Sequence, residues 1–165
     1  MPKIIDHKAH SQDLAQRATK YFSDHGYAGT SMRKVAAYLG LSKSALYHYF
    51  PTKEDLFFAC TKEVMAGFDA EFVDLEASEE ENLARLTDFM RKDFGTEMAL
   101  VFDYLRGKNP TEIAADEAMQ LSIQSYRKVF VAISGEERAD DVMARLFGGL
   151  LVDYMSGKRL LTYSG

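Results

Sequence analysis

An all-α fold is predicted for this chain. Apolar residues recur at three- and four-residue spacing, capping residues and glycines punctuate them at helix-length intervals, and no stretch alternates as a strand would. Eight helices are expected. The first covers about 11–24, with Leu14, Ala18 and Phe22 as its buried stripe, and ends at Gly26. Two short helices follow over 31–39 and 42–50. Ser31 and Ser42 sit at their N-cap positions, and Gly40 lies just past the end of the former, where a left-handed conformation suits glycine. Pro51 breaks the chain, and Thr52 caps a long helix over 53–76, whose first-turn Glu54 and Asp55 complement the helix dipole. Ser78 and Glu81 have capping-box spacing and open a helix to Phe94. Gly95-Thr96 resets the chain for a helix to Arg106. Asn109-Pro110 then opens a helix to Ile133, and Ser134-Gly135 ends it before a last helix over 137–157.

The 165 residues suffice for one large or two small domains, and 47% hydrophobic with 27% charged residues is a globular composition. The longest strongly apolar run, 146–152, is far below the roughly 20 residues of a membrane span. The opening segment has no secretory signal core, and the single Cys60 has no partner for an internal disulfide. A cytoplasmic protein is expected, with Cys60 a small buried hydrophobe. Net charge is −5 overall but uneven. Residues 1–53 carry eight basic and three acidic residues, net +5, and the remainder carries twelve and twenty-two, net −10. That asymmetry is expected if the front third meets phosphate.

The segment 31–53 carries a mechanism. Val35, Ala36 and Leu39 give the first short helix an apolar stripe, Leu46 and Phe50 give the second a facing one, and small Ala36 lies where the two would approach most closely. Two helices joined by a tight glycine turn form a helix-turn-helix, whose second helix fits the DNA major groove. Lys43, Ser44 and Ala45 at the start of that helix would face base edges: a lysine donating to guanine, a hydroxyl, and a methyl for thymine. Tyr47 and His48 lie one turn on, within reach of backbone. His48 stands equally as an ordinary exposed histidine. Ser31 and Arg33, at a helix N-terminus, would clamp a phosphate. Tyr49 and Phe50 are expected in the core.

From about His10 to Leu56 the sequence resembles the DNA-binding domain of the TetR family of bacterial transcriptional repressors. The carrying residues are Phe22 to Tyr27, Thr30 to Arg33, Val35-Ala36, Leu39 to Phe50 and Lys53 to Leu56. The resemblance implies that Tyr47 and its neighbours contact the DNA backbone, that Lys53 holds a phosphate, and that the chain regulates transcription. On this reading, 1–50 is the DNA-binding head and 51–165 a helical effector-binding and dimerisation body. The resemblance also implies a small-molecule effector held inside that body. Its Phe, Met and Tyr residues (Phe68, Phe72, Phe89, Met90, Phe94, Met98, Phe102, Tyr104) suit an apolar molecule, although each stands as readily for plain core. A DNA-binding regulator without an inducer is the alternative.

The last helix predicts self-association. It is apolar on every side over 146–152, and a body this small covers one face. Gly148 and Gly149 weaken a helix unless another backbone approaches closely. The partner helix would be the preceding one, with Met119, Ile123, Tyr126, Phe130 and Ile133 in register, giving a homodimer through about 110–157. The TetR resemblance implies the same arrangement, a bundle of two C-terminal helices per subunit. Two heads would then read a palindromic operator in double-stranded DNA. No zinc-protease motif, nucleophile elbow, phosphate-binding glycine loop or Cys/His cluster of metal spacing occurs. No enzyme activity, cofactor, metal or membrane partner is expected.

Overall fold

The computed structural model describes residues 7–68 and 72–163. Among the described residues the chain is helical throughout: α1 (His7–His25), α2 (Met32–Leu39), α3 (Lys43–Tyr49), α4 (Lys53–Ala66), α5 (Glu79–Arg91), α6 (Phe94–Leu105), α7 (Pro110–Ala114), α8 (Glu117–Ser134) and α9 (Ala139–Ser156). It packs as two compact units. One comprises the residues up to Gly67 together with Ala99–Leu121, and the other comprises Phe68–Met98 and Ser122–Gly165.

In the first unit α1 packs on α4 and α2, and α2 packs on α3. The expected stripe of α1 is buried, Leu14, Ala18 and Phe22 alike, and it meets Val35, Ala36 and Leu39 of α2, Leu46 of α3 and Leu56, Phe57 and Cys60 of α4. Each fully buried leucine or phenylalanine here contributes about 1.5–3 kcal/mol. Cys60 is buried, donates its thiol to the Ala15 carbonyl at 3.3 Å, and is pushed up to about 12 by burial, which keeps it from acting as a nucleophile. The second unit gathers Leu83, Leu86 and Met90 of α5, Phe94 of α6, Val129 and Phe130 of α8, and Leu146 and Leu150 of α9.

Three helix boundaries differ from the sequence reading. The helix expected over 53–76 ends at Ala66. Gly67 follows it, Phe68 packs edge-on against Tyr126 with ring centroids 4.7 Å apart, and the chain before α5 folds around the buried carboxamide of Asn82. That group accepts from the Asp74 amide at 3.0 Å and donates to the carbonyls of Asp74 and Ser78 at 2.9 and 3.1 Å. Residues 69–71 of the expected helix lie outside the described residues. The helix expected over 110–133 is two, α7 and α8. Asp116 separates them by capping α8, its Oδ1 accepting from the Met119 amide at 3.1 Å while Oδ2 accepts from the Tyr104 hydroxyl at 2.6 Å and the Lys108 ammonium at 3.1 Å. Finally, the break before α6 falls at 92–93, and Gly95 lies inside the helix. A Cβ there would strike the ring of Tyr154, so this glycine serves a close approach.

Candidate nucleic-acid interface

The turn between α2 and α3 is built by local chemistry. Ser31 caps α2, its Oγ accepting from the Lys34 amide at 3.3 Å. At the other end Gly40 takes φ 74°, and the amides of Gly40 and Leu41 donate to the carbonyls of Ala37 and Ala36 at 3.2 and 2.9 Å. This pair of bonds closes a Schellman motif. Ser42 then caps α3, its Oγ accepting from the Ala45 amide at 3.1 Å. Leu39 and Leu46 are buried on either side of the turn. The second helix is thereby locked to the first, and one of its faces is committed to the core.

The opposite face of α3 is open. Lys43, Ser44, Tyr47 and His48 are all exposed, while Ala45 is half-buried beside them. The Lys43 ammonium lies 5.5 Å from the centre of the Tyr47 ring, one helical turn on. His48 and Tyr49 meet two histidines of α1. The His7 ring lies 5.5 Å from that of His48 and stacks at 4.6 Å on Tyr49, and His10 meets Tyr49 edge-on at 5.2 Å. Tyr49 is accordingly half-buried under imidazoles, and Phe50 is in the core. Arg33 and Ser31 are exposed at the N-terminus of α2.

Lys53 has a structural task that the sequence did not disclose. Its ammonium donates to the carbonyls of Tyr27 and Thr30, both at 3.0 Å, and sits 4.1 Å above the Tyr27 ring. Two of its three hydrogens are therefore used to hold the turn that leads into α2, and the third remains for an anion. A second brace on the same turn comes from Asp103 of α6, whose Oδ2 accepts from the amides of Tyr27 and Ala28 at 2.8 and 2.7 Å. The Ala28 bond foremost, against a smaller opposing effect of burial, holds this carboxyl below the usual range. Arg17 braces the other end of α2, donating to the Leu39 carbonyl at 3.2 Å. An acid 75 residues from the amide that it accepts leaves no local sequence signal.

The described residues thus define an all-helical protein whose helix-turn-helix presents a basic and aromatic face. Residues 14–60 match the family described as bacterial regulatory proteins, tetR family. That match is confined to the helix-turn-helix head, which is similar to the DNA-binding heads of that family. The chain is 36% identical over 52 residues to the HTH-type transcriptional repressor AcnR of Corynebacterium diphtheriae, covering 32% of this chain and 27% of that protein. It is 39% identical over 56 residues to the HTH-type transcriptional regulator PksA of Bacillus subtilis, covering 34% and 27%. The matched stretch thus spans little more than a quarter of these curated relatives. The fold extends further. A TetR-family member from Streptomyces coelicolor superposes with a TM-score of 0.66 at 21% identity, over 96% of this chain and 91% of that one. AibR, solved in complex with isovaleryl coenzyme A and operator DNA, superposes with a TM-score of 0.59 at 20% identity, over 88% and 85%. Among the described residues, no group of three or more His, Cys, Asp or Glu could hold a metal, and no helix is long and apolar enough to cross a membrane.

Proposed function

We propose that this protein is a cytoplasmic, DNA-binding transcriptional regulator that reads a roughly palindromic operator as a homodimer and is released as a repressor by a small apolar effector. One observation carries the DNA reading: α3 buries Leu46 completely while Lys43, Ser44, Tyr47 and His48 stand exposed together on its other side. The rest of the head supports it. In this reading 1–50 is the reading domain and 51–165 the effector and dimerisation body. Lys43, Ser44 and the half-buried Ala45 face base edges. Tyr47 and His48 meet the backbone. Ser31 and Arg33 hold a phosphate at the α2 N-terminus, and Lys53 holds another with its remaining hydrogen.

The dimer rests on α9. Val142, Leu146 and Leu150 are buried in its own unit, yet Leu151, Val152, Tyr154 and Met155 are exposed, Tyr154 at 66% and Met155 at 77%. Such a face calls for a partner, and a second copy is the natural one. The two glycines differ. A Cβ at Gly149 would press on Leu161 of the same chain, whereas one at Gly148 meets open space. Gly148 is thus the residue left for close approach by a neighbouring helix. The effector reading draws on the shared fold with AibR, which was solved with a ligand and operator DNA.

Selection of genomic fragments on the immobilised protein tests this function. Enriched fragments sharing one inverted repeat are expected, and a thermal-shift screen of small apolar molecules should yield a ligand that releases them. Enrichment without symmetry would remove the dimeric reading. Enrichment with no releasing ligand would favour a regulator without an inducer.

A further inference from the structure

We propose that His7 of α1 joins His48 of α3 in holding one DNA phosphate, and that the pair takes up protons as it does so. The inference rests on the reading of α3 as the DNA face and adds to that face a residue from another helix. The His7 and His48 rings meet edge to face, 5.5 Å apart between centres and 82° between planes. Both residues are exposed. Tyr49 brings them together. Its ring carries His7 stacked at 4.6 Å, meets His10 edge-on at 5.2 Å, and stands 5.5 Å from that of His48. Tyr49 is half-buried and its neighbour Phe50 lies in the core, so this platform is anchored to the head.

Histidine is the side chain whose charge changes near neutral pH. An aromatic face, such as the one under His7, is a good seat for an imidazolium. Two imidazolium ions this close together repel each other. A phosphate seated on both rings reverses that balance, because its oxygens accept from two ring N–H groups and its charge offsets the repulsion. The complex then binds more protons than its separated parts, and by linkage the affinity rises as pH falls. Lys8 and His10 flank the pair on α1, and Lys43 and Tyr47 flank it on α3. Among residues 7–67 the acids lie on other contacts. Asp13 pairs with Arg17 at 3.6 Å and Asp24 with Lys20 at 2.9 Å. On α4, Asp55 accepts from the Thr52 amide at 2.9 Å, Glu54 lies beside Tyr27, and Glu63 lies beside Cys60. The negative charge that suits this pair is therefore one that DNA supplies. The remaining histidine, His25, stands apart, stacked on Tyr21 at 4.1 Å.

Titration calorimetry of the full chain with a genome-enriched duplex tests the proposal, run at neutral pH in Pipes and in Bis-Tris, whose heats of ionisation differ. The two buffers should give different binding heats, equivalent to uptake of about one proton per chain, and affinity should fall about tenfold between about pH 6 and about pH 8. His7→Gln should weaken binding about threefold at about pH 6 and remove about half of the uptake. Adding His48→Gln should abolish the uptake. Each variant should converge on wild type in mildly alkaline buffer, whereas a merely structural loss would persist there. His25→Gln is the control and should leave affinity and uptake as in wild type, and thermal unfolding would confirm that all variants remain folded. Wild-type heat that is the same in both buffers, or a His7→Gln variant that keeps the wild-type affinity and uptake, would overturn the phosphate clamp and leave the DNA reading standing. A protein that binds no duplex would overturn both.

Discussion

Gly148→Ala separates a monomeric from a dimeric reading of α9 because the structure gives the two effects opposite signs. Gly148 lies in the interior of α9, where glycine is about 0.8–1.0 kcal/mol worse than alanine. A Cβ there meets nothing within 4 Å. Nothing among the described residues opposes the change, so the isolated protomer should gain most of that amount. A neighbouring helix that uses the bare backbone would instead be pushed away. Overpacking a tight contact costs about 1–3 kcal/mol, which corresponds to about 5- to 150-fold in the association constant. The assay is sedimentation equilibrium over a wide concentration range, paired with urea unfolding at low concentration. The expected outcome is a variant more stable as a monomer and weaker as a dimer. A stabilised variant whose association is unchanged would refute the close-approach reasoning at this position.

Four further outcomes are expected. Gly40→Ala should destabilise the head by about 1–2 kcal/mol in denaturant unfolding, since φ is 74° and a Cβ there meets nothing within 4 Å, leaving only the left-handed backbone penalty. Lys43→Ala should relax base preference with little change in stability, whereas Lys53→Ala should weaken all duplexes alike, flatten the salt dependence, and lower the melting temperature because it also removes two bonds to the α1–α2 turn. Identical behaviour of the two lysine variants would contradict that division. Asp103→Asn should destabilise the protein at neutral pH. Because the folded pKa of Asp103 is lowered, its contribution is complete above the unfolded value of about 4 and is lost as pH falls through the folded value, so wild type and variant should converge in acid unfolding curves. Leu46→Ala should cost about 2–5 kcal/mol, since this leucine is fully buried in the first core.

What could be read in the sequence was what local chemistry decides. Ser31, Gly40 and Ser42 specify the α2–α3 turn with atoms no more than five residues apart, and the structure places each where its residue type required. The stripe of Leu14, Ala18 and Phe22 likewise follows from helical spacing alone. Local signals misled where a distant group intervened. Pro110 to Ile133 reads as one helix until Tyr104 and Lys108 gather on Asp116, which turns that acid into a cap. Gly95 reads as a turn residue, but Tyr154, nearly sixty positions on, determines its size. In the head the exposed face of α3 was legible. The Lys53 and Asp103 braces were not, because they tie α4 and α6 to backbone groups that carry no side-chain signature.

The most direct test of the account is the stoichiometry and salt dependence of binding to a fragment enriched from the genome, measured by sedimentation velocity with labelled duplex. Two chains per site are expected, with half-sites about 34–36 Å apart and affinity falling steeply as salt rises. A protein that stays single on the duplex, or that leaves every duplex free even at low ionic strength, would contradict it.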